Sequence, residues 1–368
     1  MQIQTTTISR LQFIYLMTWL IMGTGVLTLP YSISQFVVRD AWMSAVLIFA
    51  MPLVASGITA LYIRTFSTRP LVEGFHTAFG PWLGRLVSMW LLVWLYALLC
   101  MIVRELCVFV EVGVLPQTPI YVISALIVFP VAITTSWGFE VMGRLSEILT
   151  PLAVIVTLAL FGLAVQHADI HRLTPVLADG WTPVLRGTVI PWTWAMELVI
   201  ALQFVQSLSN GGRYLTKDLL IVGAVLMTIG VVAEVTITSI LGPQRTYSLF
   251  PILEVIRTIR YGDFLERLDP LYVMGVTSLI LLKLSTFQYA WLSGLQQWLR
   301  CSSYRPLVWS GAFAVWTGSL FLWPDAPTMD EYILFTLPGY FAITLIALPL
   351  AAIVVYRIRK SLDTRLSS

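Results

Sequence analysis

The chain has 368 residues, 58% hydrophobic and 11% charged, with a mean hydropathy of +0.85. Those proportions exclude a soluble globular domain of this length and indicate a polytopic helical membrane protein. The net charge of +3 is uninformative because the charges are unevenly placed, and the long apolar runs exclude a β-barrel, whose strands alternate over about ten residues.

Ten membrane spans are predicted, at roughly 11–36, 41–63, 84–110, 119–136, 147–166, 189–208, 219–241, 270–294, 306–323 and 332–356. They form one polytopic domain over residues 1–368, divisible into halves at about 8–166 and 186–356 with a short tail at 357–368. Two halves of five spans require an inverted repeat. Thirteen Lys and Arg residues fall in the loops on the side of the N-terminus and seven on the other side. Both termini are therefore expected on the cytoplasmic or core side.

The first span contains MGTGVLTLP, Met22 to Pro30. Two glycines at spacing two, with Thr24 between them, make a poor helix centre. A helix broken there presents free backbone N–H groups at mid-membrane, where secondary transporters hold a substrate carboxylate. The competing reading is that Gly23 and Gly25 let another helix pack closely. In the sixth span, Pro191 is the sole break signal, since residues 189–207 contain no glycine.

Three connections read as interfacial helices: 68–82 on the inside, and 167–186 and 248–268 on the outside. The last carries Leu249, Leu253, Ile256 and Ile259 near helical spacing, and a position on the surface is expected for it.

Ionisable residues within spans are functional candidates because each costs at least ~2.5 kcal/mol at the bilayer centre. Arg104 and Glu105 are adjacent in span three, Glu197 lies in span six and Glu234 in span seven. For Arg104, Glu105 and Glu234 a buried structural ion pair is the expected role. Lys283 sits near the middle of span eight among Thr277, Ser278, Ser285 and Thr286. An ammonium there can replace a bound sodium as a fixed positive charge, or carry a proton. Glu197 could meet a ligand amino group or pair with Lys283.

Other features point away from chemistry. His167 and His171 have metal-ligand spacing but no third ligand nearby, so an exposed loop pair is expected. Asn210 to Lys217 lacks phosphate-loop spacing, and the basic tail from Tyr356 to Arg365 reads as a lipid-facing anchor rather than a nucleic-acid site. Cys100 and Cys107 are expected to pack rather than bridge. No nucleophile–base–acid set stands out, so the chain reads as a non-enzyme with no cofactor and no metal.

Five segments in order carry a family resemblance: Ile8–Pro30, Gly138–Leu152 (GFEVMGRLSEILTPL), Leu173–Gly187, Phe250–Asp269 and Leu281–Tyr289 (LLKLSTFQY). Together they resemble the B subunit (GerAB-type) of bacterial spore germinant receptors, within the amino acid–polyamine–organocation superfamily. The resemblance implies an all-α LeuT-like fold, with ten helices in a 5+5 inverted repeat and helices 1 and 6 broken at the site. It implies residence in the spore inner membrane beside an A subunit and a C lipoprotein, and sensing of a small nutrient, commonly an amino acid. By position it places Met22, Gly23, Thr24, Gly25, Tyr96, Trp194 and Glu197 around the ligand, with Lys283 alongside. A Met196 stands where the family often has glycine. The alternatives to a receptor are a proton-coupled amino-acid permease and a scaffold with a vestigial site.

Overall fold

The structure, a computed structural model, describes residues 7–259, 268–323 and 325–366. The chain is almost wholly helical. In order the helices are α1 (Arg10–Ser34), α2 (Ala41–Leu47), α3 (Ala50–Phe66), α4 (Leu71–Gly113), α5 (Ile120–Trp137), α6 (Phe139–Ala164) and α7 (Trp181–Met196). There follow α8 (Leu215–Leu241), α9 (Pro251–Arg257), α10 (Asp269–Leu299), α11 (Val308–Phe321), α12 (Ala326–Glu331), α13 (Leu337–Phe341) and α14 (Leu348–Leu366). Among the described residues, 8 helical stretches are long and apolar enough to cross a membrane. The two expected spans that fall short are the sixth, where α7 gives way to 3-10 winding at Glu197, and the ninth, where α11 has 14 residues.

Helix α1 begins with a capping box: Ser9 Oγ accepts from the Gln12 N–H at 3.2 Å, and Gln12 Oε1 accepts from the Ser9 N–H at 2.8 Å. It then runs unbroken through Gly23, Thr24, Gly25 and Pro30 to Ser34. The expected break in the first span is therefore absent. Lys283 of α10 packs against Gly23, and the Thr28 hydroxyl donates back to the Thr24 carbonyl at 3.1 Å within the continuous helix. The discontinuity lies instead in span six, where residues 197–203 wind as a buried 3-10 segment. No glycine or proline causes it. Tertiary contacts do: the side chain of Glu197 is tied at one end, and Phe204 stacks on Phe139 at 4.8 Å just past the other.

Helix α1 is the centre of the molecule, packed on α6, α7, α8 and α10. In its most apolar window 83% of residues are buried, against 22% for the stretch Phe139–His167, which places α6 at the lipid-facing edge. A second group consists of α4, α5, α10 and α11, and α10 on α4 is its most extensive contact. Helices α2 and α3 lie along α8, and α14 closes the bundle against α3 and α4. Arg357 donates to Thr65 Oγ1 at 3.3 Å and Arg359 to the Ala78 carbonyl at 3.0 Å, so α14 ends where α3 ends and α4 begins.

Gly80 breaks α4 with φ 82° and ψ −174°, a conformation that favours glycine. Residues 71–79 thus form a separate helical arm, close to the expected inside connection. Of the expected helix in 167–186, only residues 181–186 are α-helical, as the start of α7; before them lie two short 3-10 turns, Val165–His167 and Ile170–Leu173, with His167 and His171 exposed. Helix α9 is not on the surface as expected: Ile252, Leu253, Val255 and Ile256 are all buried against α1, α8 and α10. Residues 260–267 of that connection lie outside the described residues. Cys100 and Cys107 are buried free thiols.

Candidate functional site

Three elements converge on one ammonium group. Lys283 of α10 donates to Thr24 Oγ1 of α1 at 2.7 Å and to Glu197 at 3.0 Å and 3.3 Å, where α7 passes into the 3-10 segment. Both charged side chains are wholly buried. The ammonium also lies 4.9 Å from the ring centroid of Trp194 and 5.5 Å from that of Phe287. Cation–π attraction there supplements the ion pair between the buried side chains. The glycine at 23 makes this possible: a Cβ on it would lie 3.0 Å from Lys283 Cδ and 3.1 Å from Lys283 Cβ. Gly23 therefore serves close packing, the second of the two readings of the glycine pair.

Met22 and Gly25 face another way. Together with Pro191, Leu226, Gly230 and Glu234 they line a narrow cleft of about 40 Å³ between α1, α2, α7 and α8. The four residues expected to line one ligand site along Met22–Gly25 are thus divided between the Lys283 cluster and this mostly apolar cleft. Tyr96 joins neither. Its hydroxyl donates to the Ala314 carbonyl at 3.0 Å, and its ring lies 5.5 Å from that of Trp291, so it packs α4 against α11 and α10. Phe341, which sequence reasoning missed, packs edge-on against Trp94 at 4.9 Å and Trp194 at 6.1 Å. It sits between two π-helical stretches, 332–336 and 342–347.

Glu234 pairs with Arg245. Both side chains are buried and hydrogen-bonded to each other. Arg245 also donates to Thr238 Oγ1 at 2.8 Å and to the Pro30 carbonyl at 2.9 Å. One guanidinium therefore clasps α1, α8 and the turn that follows α8. Hydropathy alone puts Arg245 in the outer loop after span seven, as one of the seven charges on that side; its eleven-residue distance from Glu234, about three helical turns, is the available signal of a pair. Arg104 and Glu105 diverge as adjacent helical residues must. Arg104 acts electrostatically on Asp325, which caps α12 by accepting from the Thr328 N–H at 2.8 Å. Glu105 is buried, and among the described residues neither of its carboxylate oxygens has a hydrogen-bond partner.

A family model described as "Spore germination protein" matches residues 7–322. The chain belongs to that family. Spore germination protein YndE of Bacillus subtilis is 26% identical over 306 residues, covering 80% of this chain and 81% of that one. Spore germination protein KB of the same organism is 25% identical over 284 residues, covering 74% of each. Spore germination protein XB of Bacillus anthracis is 24% identical over 240 residues, covering 64% of this chain and 66% of that one. These are GerAB-type proteins. Among solved structures, MhsT in complex with L-phenylalanine superposes with a TM-score of 0.66 at 13% identity, covering 95% of this chain and 98% of that one. The chain is thus an integral membrane protein of the spore germination family with the LeuT-like fold, and it is not an enzyme.

Proposed function

We propose that the chain is the nutrient-sensing subunit of a germinant receptor, binding an amino acid at the membrane midplane beside Thr24, Trp194, Glu197 and Lys283. The observation that carries this reading is the convergence of α1, the interrupted α7 and α10 on one buried ammonium. A ligand carboxylate or ammonium that competes for Lys283 or Glu197 changes the contacts among all three elements at once. Binding then favours one of two bundle arrangements, by no more than the ligand's differential affinity for them. The A subunit and C lipoprotein of the receptor read that arrangement from within the spore inner membrane, with both termini of this chain on the core side. Several features support the reading: the germination relatives, the amino acid in the MhsT complex, and the aromatic walls contributed by Trp194 and Phe341.

Lys283 serves here as the substitute for a sodium ion, a fixed charge bridging α1 and α7. The packing also suits an inverted repeat divided at about 8–166 and 186–356, because α1 meets α7, α2 and α3 meet α8, α4 meets α10, and α5 meets α11. A second reading, a proton-coupled permease, is favoured by one observation: Lys283 and Glu197 are a buried, hydrogen-bonded donor and acceptor and can exchange a proton. Reconstitution in liposomes separates the two. With radiolabelled amino acids the receptor binds without accumulating label. Accumulation driven by a proton gradient establishes the permease, and absence of both binding and uptake leaves a scaffold.

A further inference from the structure

Five carboxylates are buried among the described residues: Asp40, Glu105, Glu197, Asp218 and Glu234. Four have donors. Asp40 accepts from the Leu177 N–H at 3.1 Å, Asp218 pairs with Arg10 at 2.5 Å, Glu197 with Lys283 at 3.0 Å, and Glu234 with Arg245. Glu105 is the exception, with both oxygens buried and unbonded. The Thr28 hydroxyl of α1 lies within hydrogen-bonding reach of it, but its proton is directed to the Thr24 carbonyl at 3.1 Å. Lys283 acts on it electrostatically, but its ammonium is hydrogen-bonded to Glu197 and Thr24. Interiors rarely leave a buried carboxylate without a donor, and each such case asks for a missing partner.

What is missing is a cation or a strong donor. Asp330 of α12, which is half-buried, acts electrostatically on Glu105 and on Tyr31 of α1. Two carboxylates that act on one another favour a positive group nearby and disfavour a negative one. Near the Lys283 ammonium there is a complementary orphan: Trp194 Nε1 is a buried donor with no acceptor. A zwitterion supplies what each lacks, an ammonium for the carboxylate and a carboxylate for the indole N–H.

We infer that Glu105 is the receptor for the primary ammonium group of the ligand. This inference rests on the amino-acid reading above and makes it specific: the ligand needs a free, protonated amine. A charge-assisted hydrogen bond forms on binding and gives the carboxylate the strong donor that the protein's own side chains do not supply.

The test uses the purified full chain and matched compounds: L-phenylalanine, 3-phenylpropanoate and 2-phenylethylamine, with L-alanine, propanoate and ethylamine as the small series. Thermal melting is recorded for wild type, Glu105→Gln and Glu105→Asp. In wild type at least one amino acid raises Tm by about 2–5 °C, while its deaminated acid does not. In Glu105→Gln the apparent affinity falls by at least about tenfold, the loss expected when a charged hydrogen-bond partner is removed. Glu105→Asp, which keeps the charge, retains part of the response. Without ligand, Glu105→Gln melts at or above wild type, because it removes a buried charge that has no partner. A deaminated acid as effective as its amino acid, or an undiminished response in Glu105→Gln, overturns the Glu105 assignment and leaves midplane binding standing. A wild-type chain unresponsive to both series overturns both.

Discussion

Gly23 of α1 packs directly on the stem of Lys283 of α10, with 3.0 Å between the lysine Cδ and the place where a methyl group would sit on the glycine. Gly25, two residues on, has only Leu29 Cδ1 of its own helix within 3.1 Å and Met22 Sδ at 4.0 Å. The two glycines therefore make opposite predictions. Gly23→Ala forces the lysine stem aside, costs about 1–3 kcal/mol of overpacking and displaces the ammonium from Thr24 and Glu197. Gly25→Ala meets flexible side chains at the edge of a cleft and leaves stability within about 0.5 kcal/mol. Melting of the two purified variants checks this; equal effects would show that Gly23 is not held by Lys283.

The ion pair itself is tested by unbalancing it. Lys283→Met leaves the Glu197 carboxylate buried without its cation, at a cost of about 3–5 kcal/mol. Adding Glu197→Gln removes the stranded charge, and the double variant should recover much of the loss. Non-additivity of that kind is the signature of a direct interaction. Strictly additive melting shifts would mean that the two groups act independently.

The Arg245 clasp gives a parallel prediction outside the ligand site. Arg245→Met strands Glu234 and frees the Pro30 carbonyl, so it destabilises by about 3–5 kcal/mol and loosens α9 along with the turn above it. Hydrogen exchange reads this regionally. Amides of α9 and of the α1 segment after Pro30 should exchange faster in the variant than in wild type, while those of α5 and α11 stay protected. Uniform loss of protection would argue for global destabilisation instead of a local clasp.

Hydropathy revealed the membrane class and most of the spans, because long uncharged runs have few alternatives in a bilayer. The resemblance carried the fold. Sequence failed where one pattern serves two structures. GTG in span one suits a broken helix or a close approach, and the decision rests with the Lys283 stem from a helix some 260 residues away. The 3-10 segment of span six has no local cause after Pro191, so nothing in residues 192–207 announced it. Lys283, Glu197 and Thr24 were each legible as costly or polar residues at mid-span, and Trp194 was legible only by resemblance. Their meeting was suggested for Glu197 and Lys283 alone. Tyr96 was misplaced because position along span three says nothing about which face it occupies. Arg245 was read as a loop charge because an arginine just past a helix end looks solvated until its partner is known.

Nutrient binding where α1, α7 and α10 meet is tested by the melting temperature of the purified full chain against a panel of amino acids, compared with Glu197→Gln. Wild type should show a saturable upward shift for at least one amino acid, lost or weakened at least about tenfold in the variant. An equal shift in Glu197→Gln would contradict it, since the ligand would then bind away from the Thr24–Glu197–Lys283 cluster.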